Sequence, residues 1–276
     1  GLVGADVDTG VPSAQVKGAV LLAGLAASGR TVVREPVPTR DHTERALSTL
    51  GCHVGAAGGG LEIEAGEPAP FEGTVPGDVS GALFLLVAAA ASGGSVRIEG
   101  VGLNPTRTAL LGALRRMGVR VVVSVEATEL GEPVGTLDAA KEGPLRGLSV
   151  TAEESPALVD EIPALAALAA LADGESRFVG VGELRVKESD RLAGIVGAIR
   201  AAGGEAAVEG DDLVVAGGGL RGGVVDPLGD HRLAVAVVAA GAGATGPITV
   251  RDGSVASVSF PGFAAALRNL GLDVEG

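Results

Sequence analysis

The sequence predicts an α/β (α+β) fold built of repeated βαβαββ modules. The first observation is a recurring order of features: a polar start, an Ala- and Leu-rich helix, a strand, a second helix and two more strands. The copies begin near Ser13, Asp78, Asp160 and Asp230, and a spacing of roughly 65 to 80 residues is long enough for one module. The second observation is a contrast between apolar and amphipathic helices, which predicts one buried and one outer helix in each copy.

The first helix of each copy is apolar in composition. We predict these helices over residues 13–24, 80–91, 162–172 and 231–241. The last three are apolar on almost every side, and a helix without a polar face is buried. Ser13 and Asp230 are suited to cap their helices, and Asp160 followed by Pro163 fits the start of the third.

The second helix of each copy is amphipathic. We predict these helices over residues 43–50, 107–117, 190–202 and 263–270. Each has a polar face, so we expect it to lie on the surface of its module.

The repeats predict two domains. Three copies fit in residues 74–276, and three modules around their buried helices would form one complete domain. Residues 1–73 would then hold the last repeat of a second, partial domain on the N-terminal side. The Pro- and Glu-rich stretch 66–73 is the predicted boundary.

The composition excludes several classes of function. The net charge of −13 and the near absence of aromatic residues argue against a nucleic-acid surface. Apolar stretches such as 162–172 are too short to cross a membrane, and the three His residues lack metal-ligand spacing. Cys52 is the only cysteine, which fits a reducing compartment. We therefore expect a cytoplasmic protein whose partners are small molecules.

Residues 185–191 form the most unusual charge cluster. They place three cations and two carboxylates in seven positions of an acidic protein. Such a cluster is either a surface ion-pair network or an anion site, and the rest of the sequence favours the anion site. Lys187 and Arg191 lie on one helix face if that helix starts near Glu188.

Further cations stand at predicted helix starts, where a positive charge is unfavourable unless an anion binds. Pairing with nearby carboxylates is the better explanation of Arg45 and Arg107. Arg191 and Arg232 favour anion binding, because a guanidinium suits bidentate contact with phosphate or carboxylate.

Two motifs leave their interpretation open. Asp160 is either a helix cap alone or a general base whose pKa is raised by apolar surroundings. Ser13 is explained by capping, but Gln15 and Lys17, which follow it on an apolar helix, are not.

Together these segments resemble the 5-enolpyruvylshikimate-3-phosphate (EPSP) synthase family along nearly the whole chain. The segments that carry the resemblance are Ser13-Ala-Gln-Val-Lys17, Pro38-Thr-Arg-Asp-His-Thr-Glu-Arg45, Pro76-Gly-Asp-Val-Ser80, Asn104-Pro-Thr-Arg-Thr108, Asp160-Glu-Ile-Pro163, Leu184-Arg-Val-Lys-Glu-Ser-Asp-Arg191, Gly229-Asp-His-Arg232 and Ser259-Phe-Pro-Gly262. Each is weak alone, but eight in order at matching spacing are specific.

The resemblance implies the enolpyruvyl transferase fold, with two domains of three modules each that close over the substrates. It implies transfer of the enolpyruvyl group of phosphoenolpyruvate to the 5-hydroxyl of shikimate 3-phosphate, with release of phosphate. This is a step of the shikimate pathway towards chorismate and the aromatic amino acids. No metal, cofactor or covalent enzyme intermediate is implied, and we expect a monomer.

The resemblance also implies roles for single residues. Shikimate 3-phosphate is assigned to Ser13, Ala14, Gln15, Arg40, Asp160 and Lys187. Phosphoenolpyruvate is assigned to Gln15, Arg191, His231 and Arg232. Asp160 would accept the proton of the 5-hydroxyl, and Lys187 and Glu188 are candidates for proton transfer at the enolpyruvyl methylene.

The sequence departs from the family pattern in length. Members of the family have six modules, and four are recognisable here. The two without a counterpart carry, in the family, an early Lys-Ser…Arg segment and an Asn-Ala-Gly-Thr loop. We therefore expect an N-terminally incomplete chain with weak or no turnover by itself.

Three alternatives stay open. The chain could be a non-catalytic anion-binding remnant or half of a split protein. It could act on UDP-N-acetylglucosamine, as another enolpyruvyl transferase of this fold does, but residues 13–15 and 39–45 speak against that. An RNA-end-modifying enzyme of related fold is disfavoured by the acidic balance.

Overall fold

A computed structural model describes residues 1–275, whose contacts divide into two units. Unit 1 comprises Gly1–Pro76, Gly102–Arg107 and Val125–Gly135, and unit 2 comprises the rest of the described chain. The first break lies just after the Pro- and Glu-rich stretch 66–73. Assignment of residues 1–73 to the last repeat of a partial domain stays a prediction.

Unit 1 contains the first copy of the module. Its elements are β1 (Asp6–Asp8), α1 (Ala14–Leu25), β2 (Arg30–Arg34), α2 (His42–Thr49), β3 (Val54–Ala57) and β4 (Gly60–Glu64). The sheet has the order β1-β2-β4-β3, in which β1 and β2 are parallel and the other pairs antiparallel. Its core is formed by Leu21, Val33, Leu47, Cys52 and Ile63.

Three further copies follow along the chain. The second has α3 (Val79–Ser92), β5 (Ser95–Gly102), α4 (Ala109–Arg116), β6 (Val119–Glu129) and β7 (Glu132–Lys141). The third has β8 (Ser149–Val150), α5 (Ser155–Leu158), α6 (Ile162–Ala169), β9 (Glu175–Phe178), α7 (Arg191–Ala201), β10 (Glu205–Glu209) and β11 (Asp212–Ala216). The fourth has β12 (Gly223–Val225), α8 (His231–Gly241), β13 (Ile248–Val250) and α9 (Phe263–Asn269).

The strand orders confirm the predicted repeat. The third copy has the order β8-β9-β11-β10, which is the order of the first copy, and again only its first pair is parallel. The second copy forms β5-β7-β6, with a parallel bridge from Gly77 to Val101 in place of a first strand. In the fourth copy, the described residues form the parallel pair β12-β13.

The predicted helices are confirmed, with ends that differ by at most a few residues. Helices α3, α6 and α8 pack against one another and are buried on almost every side, as expected for helices without a polar face. Helix α1 differs, because it packs on β2, β4 and α2 but leaves Val16 and Leu22 exposed. Unit 1 has α1 as the first helix of its single module copy, without the two partner helices that cover α3, α6 and α8. Helix α1 is therefore less completely buried.

The buried helices of unit 2 start close together. Ser80 at the start of α3 donates a hydrogen bond to Glu161, the residue before α6, over 2.5 Å. Arg232 at the start of α8 donates to the carbonyl of Asp160 over 2.9 Å. The three N-termini therefore share one end of unit 2, and each contributes a partial positive charge there.

Candidate functional site

Arg191 is the centre of a charged cluster at this end of unit 2. It begins α7, and its side chain is only 1% exposed. Its guanidinium lies 2.7 Å from Asp230 Oδ2, 2.6 Å from Glu188 Oε2 and 3.7 Å from Asp160 Oδ1. We call these four residues with Arg232 the Arg191 cluster. Arg191 is thus paired with carboxylates, and contact with phosphoenolpyruvate stays a prediction.

Asp230 links two parts of this cluster. One oxygen accepts hydrogen bonds from Arg191 Nε and Ser189 Oγ, and the other accepts from the backbone N–H of Arg232. Burial alone would raise the pKa of Asp230, but the hydrogen bond and charge of Arg191 hold that pKa below its usual range. The predicted helix cap is confirmed. Its bond to Arg191 was missed, although an arginine in an apolar setting requires a carboxylate partner.

Asp160 is held by its backbone as well as by its side chain. Arg232 Nη1 donates to its carbonyl, and its carboxylate stays partly exposed beside Arg191. Of the two interpretations left open for Asp160, the helix cap is not supported, because α6 starts at Ile162 and the cap position falls on Glu161. Pro163 lies in the first turn as predicted. The Asp160 carboxylate therefore lies beside the guanidinium of Arg191.

Lys187 and Glu188 precede α7 instead of lying within it. The helix predicted over residues 190–202 starts at Arg191, because the Asp190 side chain accepts from Ala193 N–H. The condition that would place Lys187 and Arg191 on one helix face, a start near Glu188, is therefore not met. Lys187 follows the 3-10 helix Gly182–Val186 and pairs with Glu183. Glu188 is mostly exposed apart from its contact with Arg191.

His231 is the first residue of α8 and lies beside Arg232. Burial lowers its pKa below the usual value, and the positive charge of Arg232 lowers it further. The carboxylates of Asp230 and Glu188 act in the opposite direction but are outweighed. The imidazole is therefore mostly neutral near pH 7.

We expect a titration of His231 by NMR to give a pKa below about 6.5. The unfolded chain binds this proton more readily than the folded one, so stability should fall as the pH drops from about 6.5 towards the folded pKa. His231→Gln should flatten the pH dependence of unfolding in this range. An unchanged dependence in the variant would contradict the assignment.

The expected ligands in unit 1 come from two segments. Ser13 caps α1 by accepting from Val16 N–H over 3.3 Å, as predicted, and Ala14 and Gln15 form the first turn. Arg40 is half-buried in the loop before α2. Their contact with substrate stays a prediction.

The residue after Arg40 is fixed by a network that the sequence did not indicate. Buried Asn104 donates to Asp41 over 2.7 Å and to Glu132 over 2.8 Å. Burial alone would raise the pKa of Asp41, but Asn104 and Arg45 hold it below its usual range. The pairing of Arg45 with a carboxylate is confirmed by its 2.8 Å contact with Asp41.

Other kinds of site find no support in the described residues. Within residues 1–275, no group of three or more His, Cys, Asp or Glu side chains could hold a metal ion. No helix of the described chain has the length and apolar character needed to cross a membrane.

The chain is similar to known proteins over nearly its whole length. The family model described as EPSP synthase (3-phosphoshikimate 1-carboxyvinyltransferase) matches residues 1–267. A 3-phosphoshikimate 1-carboxyvinyltransferase of Gluconobacter oxydans is 47% identical over 270 residues, which are 95% of this chain and 61% of that protein. One of Thermus thermophilus is 48% identical over 255 residues, 92% of this chain and 59% of that protein.

A solved structure gives the same result. The EPSP synthase of Acinetobacter baumannii superposes with a TM-score of 0.91 at 34% identity, over 100% of this chain and 64% of that one. The chain therefore spans about three fifths of the length of these relatives.

Proposed function

Because this chain belongs to the EPSP synthase family, we propose that it transfers the enolpyruvyl group of phosphoenolpyruvate to the 5-hydroxyl of shikimate 3-phosphate. Phosphate is released, and the product leads through the shikimate pathway to chorismate and the aromatic amino acids. The observation that carries the proposal is the Arg191 cluster, in which two arginines and three carboxylates, one of them the partly exposed Asp160, stand at the shared N-termini of three buried helices. Such a site suits an anion whose reaction needs a base.

The proposed chemistry divides among the cluster and its neighbours. Arg191 and Arg232, with His231 and Gln15, bind phosphoenolpyruvate. Asp160 takes the proton of the 5-hydroxyl of shikimate 3-phosphate. The oxygen of that hydroxyl bonds to the second carbon of phosphoenolpyruvate. The methylene carbon gains a proton, for which Lys187 and Glu188 are the candidate donors.

The resulting tetrahedral intermediate then loses a proton from the new methyl group and expels phosphate. Positioning and electrostatic stabilisation supply the catalysis, so the proposal requires no cofactor, metal or covalent enzyme intermediate. The proposal extends to a monomeric protein acting in the cytoplasm.

The proposal for unit 1 is that it binds shikimate 3-phosphate. Ser13, Ala14, Gln15 and Arg40 are the proposed ligands in unit 1, and Asp160 and Lys187 of unit 2 are proposed as further ligands. Ser13 supplies a hydroxyl and Arg40 supplies a guanidinium, and both groups bind phosphate well.

We expect shikimate 3-phosphate, but not UDP-N-acetylglucosamine, to bind the 276-residue chain in a calorimetric titration. Arg40→Ala should weaken this binding about tenfold or more, because a charged hydrogen bond is lost. The matched control is Arg30→Ala, which removes an equal charge from the exposed Arg30–Glu62 pair of unit 1. Binding of the UDP sugar alone would contradict the substrate assignment.

A second candidate, a catalytically incomplete part of a split or larger enzyme, is favoured by the 61% coverage of the Gluconobacter relative. Its test is phosphate release by residues 1–276 alone and after addition of the region of that relative outside the match. Release that appears only in the mixture would favour this candidate. Release at an undiminished rate by residues 1–276 alone would exclude it.

A further inference from the structure

A buried lysine joins the two segments of unit 1 that carry the proposed substrate ligands. Lys17 lies in α1, one turn after Ser13, and its side chain is only 2% exposed. Its ammonium lies 2.7 Å from Glu44 Oε1, 3.0 Å from Glu35 Oε2 and 3.5 Å from the carbonyl of Thr39. One side chain thus connects α1 to the loop after β2 and to α2.

These three partners surround Arg40 in the sequence. Glu35 and Thr39 precede it, and Glu44 follows it by one helical turn. The hydroxyl of Thr39 also donates to Glu35, which closes the loop between them. Lys17 therefore contacts residues on both sides of Arg40, through the Thr39 carbonyl and the Glu44 carboxylate, while its own helix carries Ser13 and Gln15.

The close approach of α1 and α2 makes this connection possible. The next residue is Gly18, and a Cβ there would lie 3.0 Å from Thr43 Oγ1. A Cβ at this position would require the Thr43 side chain to shift by a few tenths of an ångström. The absence of a side chain at Gly18 therefore permits the close approach of the two helices.

The buried cluster of Lys17, Glu35 and Glu44 adds little to the free energy of unfolding, because its desolvation is costly. Burying an ammonium and two carboxylates requires desolvation, and apolar residues of similar size often give equal or greater stability. Glu44 Oε2 adds to this cost, because it is buried without a hydrogen-bond partner among the described residues. Burial alone would lower the pKa of Lys17, but Glu44 and Glu35 outweigh it and raise that pKa, so the ammonium stays charged.

We propose that Lys17 is a positioning residue that holds Arg40 and the first turn of α1 in the arrangement that binds shikimate 3-phosphate. This inference rests on the proposed function of unit 1. Buried ion pairs are best attested as devices that fix one arrangement of segments among several. Here the segments fixed are residues 13–15 and 39–40.

The test is the double substitution Lys17→Met with Glu44→Gln. It removes one charge of each sign, so the net charge of −13 and the long-range field on an anionic ligand stay unchanged. Glu35 keeps its hydrogen bond from Thr39. We expect the dissociation constant for shikimate 3-phosphate to rise about tenfold or more, because misplaced binding groups are costly. Because the Glu35 carboxylate loses its ammonium partner, we expect the thermal midpoint of unit 1 to fall moderately while the unit stays folded.

The control is Arg30→Met with Glu62→Gln, which removes the exposed ion pair of unit 1 and should leave affinity unchanged. Lys17→Arg keeps the charge and should recover part of the affinity lost in the double variant. Wild-type affinity in a folded double variant would overturn the inference, and so would an unfolded double variant, which would assign Lys17 to stability.

The same titration separates this inference from the function on which it rests. If the wild-type chain binds and Arg40→Ala does not, but the double variant binds normally, the function stands and the role of Lys17 falls. If the wild-type chain does not bind shikimate 3-phosphate, both fall.

Discussion

Arg191→Met is expected to destabilise unit 2 by about 3–5 kcal/mol, because removal of one partner leaves buried charge uncompensated. Asp230, which is 1% exposed, would lose its guanidinium partner while still inside the fold. The free energy of unfolding from chemical denaturation measures the loss. Arg177→Met is the matched control, because Arg177 is a more exposed arginine paired with Glu209 and Asp212, and its removal should cost far less.

The double variant Arg191→Met with Asp230→Asn should recover much of the lost stability. Asparagine can still cap α8, so the helix start is retained while the unpaired charge disappears. If stability returns but phosphoenolpyruvate affinity does not, Arg191 binds the substrate directly. Recovery of both would contradict its proposed role.

Asp160→Asn is expected to lower the rate of phosphate release by roughly 10²- to 10⁴-fold, the range for loss of a general base. The amide has the same shape but cannot accept the proton of the 5-hydroxyl. Arg232 would keep its bond to the backbone carbonyl of residue 160, so the fold should be preserved. The assay is phosphate release by the chain supplemented with the unmatched region of the Gluconobacter relative.

The matched control for this prediction is Asp173→Asn, an equal change at an exposed aspartate beyond the far end of α6. It should leave the rate unchanged. A full rate for Asp160→Asn would show that another group takes the proton.

Local features of the fold could be predicted from the sequence. The apolar helices, the caps at Ser13 and Asp230 and the pair Arg45–Asp41 depend on residues within a few positions of one another. Their physical causes, burial and hydrogen bonding to a helix end, are therefore visible in the order of the residues.

The features that could not be predicted join distant positions. Asp230 is 39 positions from Arg191, Ser80 is 81 from Glu161, and Asn104 is 63 from Asp41. Which carboxylate reaches a buried cation depends on how the modules pack, and the periodicity of one segment carries no information on that.

The single central helix of unit 1 has a consequence for how the chain loses its structure. Unit 2 surrounds three apolar helices, whereas unit 1 has a small core around Leu21 and leaves Val16 and Leu22 of α1 in water. A smaller buried apolar area gives a lower free energy of unfolding. Unit 1 should therefore unfold at a lower temperature than unit 2, and the transition of the whole chain should not be two-state. A ligand held by Ser13 and Arg40 would then raise the temperature of the earlier melting step.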